Sequence, residues 1–222
     1  MVEIKICGVK DEHTVEVARN NGATFVGIVT GAPDSPRHVT YEKAGDIIRF
    51  ARGKIKTVLV TRELTAEFID RAPLVGSDMV QFHKAKQLRL VERLQDEFTG
   101  GVIFAISAEM DDDGLAKLAN LARRNDIILL DKSQGKGIGI DDTTLANECQ
   151  RIEKNFRRKL GDIFVAGGFN PSNVMSFLQK HQPRGIDASS GLELTPGVKD
   201  QARIKQFCEM IKNSLKNQDG LP

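Results

Sequence analysis

The chain has 222 residues, a length that suits one large domain or two small ones. Its 32 basic and 30 acidic residues leave a formal net charge of +2, and it has one Tyr and no Trp, so neither a nucleic-acid surface nor a charged membrane surface is indicated. No apolar run approaches the ~20 residues that cross a bilayer, and the N-terminal residues do not have the pattern of a signal peptide.

The three cysteines, Cys7, Cys149 and Cys208, are widely separated in the sequence. Their odd number and their spacing match neither a disulfide framework nor a zinc site. We therefore expect free thiols, no metal site and a cytoplasmic location.

Apolar runs typical of strands alternate with helical patterns along most of the chain. Asp11, Thr40 and Thr65 each precede a helical pattern and have side chains that cap helices. Asn170 and Pro171 form a further helix-start signal after the seventh strand. The predicted strands cover residues 2–6, 24–29, 55–60, 79–82, 102–106, 127–130, 163–166 and 185–188.

Strands that alternate with helices without an obvious linker predict a parallel sheet. With eight strand–helix units in this length, a closed (β/α)8 barrel, the α/β architecture known as a TIM barrel, is the leading fold. An open doubly wound sheet is the alternative. We predict a single domain over residues 1–216 and a frayed tail over residues 217–222.

The first strand ends at a chemically interesting position. Residues 2–6 alternate apolar and polar side chains, which predicts a half-buried strand, and Cys7 and Gly8 follow at its end. In α/β folds the carboxyl ends of parallel strands carry the chemistry, so Cys7 is a candidate proton acceptor if its thiolate is favoured. The alternative is a small buried apolar residue.

Asp131 follows the apolar run of the sixth strand. A carboxyl at the rim of an apolar strand is partly desolvated, which makes it a candidate proton donor. The alternative is a loop cap or an Asx turn. With Cys7, it would form an acid–base pair.

Glycines and serines after the last two strands indicate an anion site. The backbone amides of Gly167 and Gly168 can approach a phosphate closely, with help from the helix that follows. Further amides and hydroxyls come from Ser189, Ser190 and Gly191, and loops after the seventh and eighth strands are the usual phosphate site of a barrel. Tight turn geometry is the alternative for the two glycines.

Three further loop features are ambiguous from the sequence. Arg37 can hold a carboxylate in a two-point fork or be a solvated loop charge. His83 is either a hydrogen-bonding neighbour of the site or a partly exposed loop residue. The glycine-rich stretch 135–139 lacks the spacing of a nucleotide-binding loop and fits a mobile cover better.

Beyond these arguments, several motifs resemble those of the phosphoribosylanthranilate isomerase family in order and spacing, over nearly the whole chain. The matching segments are Lys5-Ile6-Cys7-Gly8, Ser35-Pro36-Arg37, Gln81-Phe82-His83, Leu129-Leu130-Asp131, Ala166-Gly167-Gly168-Phe169-Asn170-Pro171, Asp187-Ala188-Ser189-Ser190-Gly191-Leu192-Glu193 and Pro196-Gly197-Val198-Lys199-Asp200.

The resemblance implies a (β/α)8 barrel enzyme of tryptophan biosynthesis that needs no metal or organic cofactor. It implies the Amadori rearrangement of N-(5'-phosphoribosyl)anthranilate, a small sugar-phosphate substrate, to 1-(2-carboxyphenylamino)-1-deoxyribulose 5-phosphate. Cys7 matches the position of the family's base and Asp131 that of its acid.

The resemblance also extends to binding residues. Arg37 matches the residue that holds the anthranilate moiety, and Asp187 lies beside the phosphate cradle that Gly168, Ser190 and Gly191 resemble. The chain departs from the family pattern at Lys84, where a glycine is usual, and in the loops 30–36 and 132–140.

Other functions stay open at this point. A histidine-pathway isomerase would need carboxylates at two strand ends, and indole-glycerol-phosphate synthase would need a catalytic lysine within a strand. A phosphate-binding barrel without chemistry is a third possibility. The sequence leaves the oligomeric state open.

Overall fold

Eight parallel strands form a closed barrel in the computed structural model, which describes residues 2–107, 110–131 and 141–216, the last three of these without their side chains. The strands pair in sequence order, and β1 pairs with β8 to close the barrel. The predicted TIM barrel is therefore confirmed, and the open sheet is excluded. The strands are β1 Glu3–Cys7, β2 Phe25–Val29, β3 Lys56–Glu63, β4 Met79–Lys84, β5 Gly101–Ile106, β6 Ile127–Asp131, β7 Phe164–Ala166 and β8 Gly185–Ala188.

Helices follow the strands and cover the outside of the barrel. The predicted caps Asp11, Thr40 and Thr65 each accept a hydrogen bond from a backbone amide in the first turn of the helix that follows. The helices are α1 Glu12–Asn20, α2 Tyr41–Ala51, α3 Ala66–Val75, α4 Leu88–Glu97, α5 Asp112–Leu121, α6 Asp142–Phe156, α7 Val174–Lys180 and α8 Gln201–Lys216. A small antiparallel hairpin, β9 Glu193–Thr195 with β10 Val198–Lys199, lies between β8 and α8.

Two helices differ from the sequence expectation. The helix after β7 begins at Val174, not after Asn170, because the Asn170 carboxamide accepts from the backbone and hydroxyl of Ser172 and forms a turn instead of a cap. The second, α6, follows a cap at Asp141; the eight strand–helix units imply a helix after the sixth strand, but the sequence pattern did not locate its residues.

The alternating pattern of the first strand predicted that it would be half-buried, and this prediction was wrong. Lys5 is fully buried, and β1 is shielded on both faces. In this closed barrel the face of β1 that carries Lys5 points to the interior and not to water. A charged side chain is tolerated there because Asp187 lies opposite Lys5 in the register of β1 and β8.

The apolar side chains form two layers that follow the alternation along each strand. One layer fills the barrel, with Phe25, Val58, Ile103 and Phe164 among its members. The other packs the outer faces of the strands against the helices. The polar residues at the carboxyl ends of the strands lie next to this interior layer.

Within the described ranges, no helix is both long enough and apolar enough to cross a membrane. The predicted tail 217–222 and the predicted cover 135–139 lie outside the described residues.

Candidate active site

A cleft of about 800 Å³, which includes its open mouth, lies at the carboxyl ends of the barrel strands. Nine of the ten predicted site residues line it; Gly191 does not. Sites of this fold lie at this end of the barrel, and the size suits a small ligand. The nine are Cys7, Arg37, His83, Asp131, Gly167, Gly168, Asp187, Ser189 and Ser190.

Cys7 and Asp131 line this cleft from β1 and β6, although they are far apart in the sequence. Both residues are almost completely buried, with 8 % and 5 % of their surface exposed. A thiol and a carboxyl on the walls of one cleft can act on the same bound molecule.

The surroundings of Cys7 act on its ionisation in opposite directions. Burial raises the pKa of the Cys7 thiol, and the nearby Asp187 carboxylate adds to this rise. The ammonium groups of Lys5 and Lys199 lower the pKa but do not cancel the effect of burial.

Beneath the cleft, Lys5 and Asp187 form a buried ion pair. The Lys5 Nζ atom donates to Oδ2 of Asp187 at 2.7 Å. Burial alone would lower the pKa of Lys5, but the Asp187 carboxylate, and the Cys7 thiolate once it forms, raise this pKa above its ordinary value, so Lys5 is cationic at neutral pH. The other carboxylate oxygen of Asp187 has no hydrogen-bond partner among the described residues.

His83 connects Gln81 to the neighbourhood of Asp131. Burial lowers the pKa of His83, so its ring is neutral at pH 7. The Gln81 amide nitrogen is 3.1 Å from Nε2 of His83, and a neutral ring can accept this hydrogen bond at Nε2 while it carries its proton on Nδ1. Nδ1 lies 3.6 Å from Oδ2 of Asp131, so this N–H is close to the carboxyl.

Arg37 forms the predicted two-point fork, but with a carboxylate of the protein itself. Its Nε and Nη2 atoms donate to the two carboxylate oxygens of Glu193 at 2.7 and 2.9 Å. Glu193 also accepts from Lys199 Nζ at 2.7 Å and from the Gly197 amide at 3.2 Å. This network holds Arg37 in place at the wall of the cleft.

The predicted phosphate loops both line the cleft. Gly167 and Gly168 have φ angles of 142° and 64°, which favour glycine and allow a tight turn directly after β7. The Ser189 hydroxyl donates to the Cys7 carbonyl at 3.0 Å, which ties the loop after β8 to the end of β1. Because α7 begins only at Val174, its first turn does not directly follow the two glycines, and the backbone amides of the turn are the candidate anion donors of this loop.

Gly191 supports this region from outside the cleft. A Cβ on Gly191 would lie 2.1 Å from the Phe169 carbonyl oxygen, so only glycine lets the loop after β8 pack against the loop after β7. Its assignment to phosphate binding stays a prediction.

Comparisons with known proteins show the family of the chain. Residues 4–210 match the family model of N-(5'phosphoribosyl)anthranilate (PRA) isomerase. The chain belongs to this family. The N-(5'-phosphoribosyl)anthranilate isomerase of Mesorhizobium japonicum is 33 % identical over 214 residues, which is 95 % of each chain.

Solved structures of the isomerase family superpose on the whole barrel. TrpF from Jonesia denitrificans has a TM-score of 0.78 at 29 % identity and covers 97 % of this chain and 98 % of its own. A phosphoribosyl anthranilate isomerase in complex with reduced 1-(o-carboxyphenylamino)-1-deoxyribulose 5-phosphate has a TM-score of 0.74 at 28 % identity and covers 96 % and 100 %. The predicted family, and with it the predicted class of enzyme, is confirmed.

Several residues in and around this cleft were not singled out from the sequence. Lys5 and Gln81 stand two residues before Cys7 and His83, so the period of a strand places each pair on the same face and was the available signal. Arg62 at the end of β3 also lines the cleft. Glu193 and Lys199 lie in the recognised motifs, but their contacts with Arg37 and Ser189 depend on the hairpin after β8.

The Glu193 network predicts a pH-dependent contribution to stability. Burial alone would raise the pKa of Glu193, but hydrogen bonds from Arg37, Lys199 and Gly197 lower it from 4.5 to about 2. A depressed carboxyl pKa stabilises the folded state above the unfolded-state pKa, and this contribution is lost as the pH falls from 4.5 towards 2. We expect Glu193→Gln to lower the free energy of unfolding at pH 7 by on the order of 2–3 kcal/mol.

Urea unfolding between pH 7 and pH 2 measures this effect. The difference between the parent chain and Glu193→Gln should shrink as the pH falls below 4.5. Glu209→Gln is the control, since Glu209 is an exposed residue on α8 whose carboxylate lies 4.0 Å from Lys205 Nζ. A difference that stays constant over the whole range would contradict the role of this network.

Proposed function

We propose that this chain catalyses the Amadori rearrangement of N-(5'-phosphoribosyl)anthranilate to 1-(2-carboxyphenylamino)-1-deoxyribulose 5-phosphate, with Asp131 as general acid and Cys7 as general base. The observation that carries the assignment of roles is that these two side chains line one cleft together with residues of the glycine and serine loops. An aldose-to-ketose shift needs one acid, one base and an anchored sugar phosphate.

The reaction begins with proton transfer from Asp131 to the furanose ring oxygen. The bond between C1 and this oxygen breaks, and the lone pair of the anthranilate nitrogen forms the C=N bond of a Schiff base. The Asp131 carboxylate left behind lies near the Nδ1 proton of His83, which stabilises its negative charge.

In the second step the Cys7 thiolate removes the proton from C2. The electrons of the broken C–H bond form the C1=C2 double bond of an enolamine, and the Schiff-base nitrogen becomes neutral. The enolamine then tautomerises to the ketone. Lys5 and Lys199 favour the thiolate form that this step needs.

The remaining cleft residues anchor the substrate. A guanidinium has five N–H donors and Glu193 takes two, so Arg37 keeps donors for the anthranilate carboxylate. The unpartnered Asp187 oxygen accepts from a ribose hydroxyl. We assign the phosphate to the loops containing Gly168 and Ser190, whose binding energy orients C2 against the base.

The fluorescence of the anthranilate moiety provides the test. Purified protein added to freshly prepared phosphoribosylanthranilate should change this fluorescence at a rate proportional to enzyme concentration, and the product should be the ketose. A protein that binds the sugar phosphate tightly but forms no product would contradict the proposal. We place this reaction in the cytosol, a location supported by the three unpaired cysteines.

A further inference from the structure

Lys5 lies directly below the proposed base. Lys5 and Cys7 are two residues apart on β1, so both side chains point to the barrel interior. The Lys5 side chain is fully buried, and its ammonium is held by Asp187 at 2.7 Å. Lysine is rarely found in such a place, because a charge in a protein interior is costly unless it is paired.

The position of Gly27 on β2 shows how close the ammonium is to the thiol. A Cβ at Gly27 would lie 2.8 Å from Cys7 Sγ and 3.3 Å from Lys5 Nζ. The two atoms therefore adjoin the same point in the interior and are no more than about 6 Å apart, a distance at which an opposite charge favours ionisation.

Other charged groups surround the thiol, and Lys5 is the main favourable one. Asp187 disfavours the thiolate and Lys199 favours it, with a smaller effect than Lys5. The remaining titratable and charged side chains that line the cleft are Arg37 from the loop after β2, Arg62 from β3, His83 from β4 and Asp131 from β6.

We propose that Lys5 is a positioning residue of this site: its buried ammonium favours the thiolate of Cys7 and thereby sets the pH range in which the base is active. This inference rests on the proposed role of Cys7. Asp187 holds Lys5 in place and favours its charged form, so the ion pair as a whole contributes to the activation of the Cys7 thiol.

The rate of alkylation of Cys7 by iodoacetamide as a function of pH tests the proposal, because only the thiolate reacts. Mass spectrometry of the Cys7 peptide separates this signal from Cys149 and Cys208. In Lys5→Met we expect the midpoint of the profile to rise by about one pH unit or more, which at neutral pH corresponds to about tenfold slower alkylation. Lys56→Met, which removes an exposed lysine from β3, should leave the profile unchanged.

Lys5→Met leaves Asp187 buried without its partner, which can prevent folding. The double variant Lys5→Met/Asp187→Asn removes both charges and keeps the interior neutral. We expect its midpoint to lie above that of the parent chain, since Lys5 acts on Cys7 more strongly than Asp187 does. A midpoint equal to that of the parent in the double variant would overturn the proposal, whether or not the single variant folds.

The alkylation profile does not depend on turnover, so it distinguishes this proposal from the proposed function. A shifted profile in a chain that forms no ketose would support the role of Lys5 and contradict only the isomerase assignment. In an active chain, the acidic limb of kcat/KM should move to higher pH with the alkylation midpoint.

Discussion

Replacement of Cys7 by Ala is expected to lower kcat by about a hundredfold to ten-thousandfold, the range over which general base catalysis contributes. Without the thiolate no side chain of β1 can remove the C2 proton, while the binding residues stay in place. KM should therefore change little, since the base acts mainly in the transition state. The fluorescence assay under saturating substrate measures the change.

The loss of kcat in Cys7→Ala identifies the base only if the variant folds as the parent chain does. Cys7 is small and the Lys5–Asp187 pair below it remains, so we expect urea unfolding of Cys7→Ala to be close to that of the parent chain. Cys149→Ala is the matched control, because Cys149 is a half-buried thiol on α6 that does not line the cleft. Parent-like turnover in Cys7→Ala would refute its assignment as the base.

Replacement of Asp131 by Asn is expected to lower kcat over the same range, about a hundredfold or more. The amide has almost the same shape as the carboxyl, but it cannot give a proton to the ring oxygen. Ring opening then becomes the slow step. Asp46→Asn, an exposed exchange on α2, should retain parent-like turnover.

Deuterium at C2 of the substrate separates the two roles. In Cys7→Ala the removal of the C2 proton limits the rate, so we expect a primary isotope effect on turnover. In Asp131→Asn ring opening limits the rate, and the isotope effect should be suppressed. The opposite pattern would exchange the assignments of acid and base, and parent-like turnover in Asp131→Asn would exclude it as the acid.

Much of the architecture was predictable from local patterns. The apolar runs and the caps Asp11, Thr40 and Thr65 depend on neighbours a few residues away, and all three caps were correct. The prediction of a helix cap at Asn170 was wrong, because a carboxamide accepts hydrogen bonds equally well within a turn. Only the local geometry decides between a cap and a turn.

Much of the site was also predictable, for a topological reason. Strands of a parallel barrel end at the same face, so residues that follow successive strands meet in space. This rule placed Cys7, Asp131 and Ser190 in one cleft. The same rule does not predict which side chains bind each other, such as the two hydrogen bonds from Arg37 to Glu193.

The sequence by itself determined the order of strands and helices, the family, and the residue types at the strand ends, since each is encoded in short segments or in their spacing. The tertiary structure decided which face of β1 is buried, that Lys5 pairs with Asp187, and that its ammonium adjoins the thiol of Cys7. All three features depend on closure of the barrel, which pairs β1 with β8. Closure buries the charge of Lys5, and a buried charge is tolerated only beside a group of opposite charge, here Asp187.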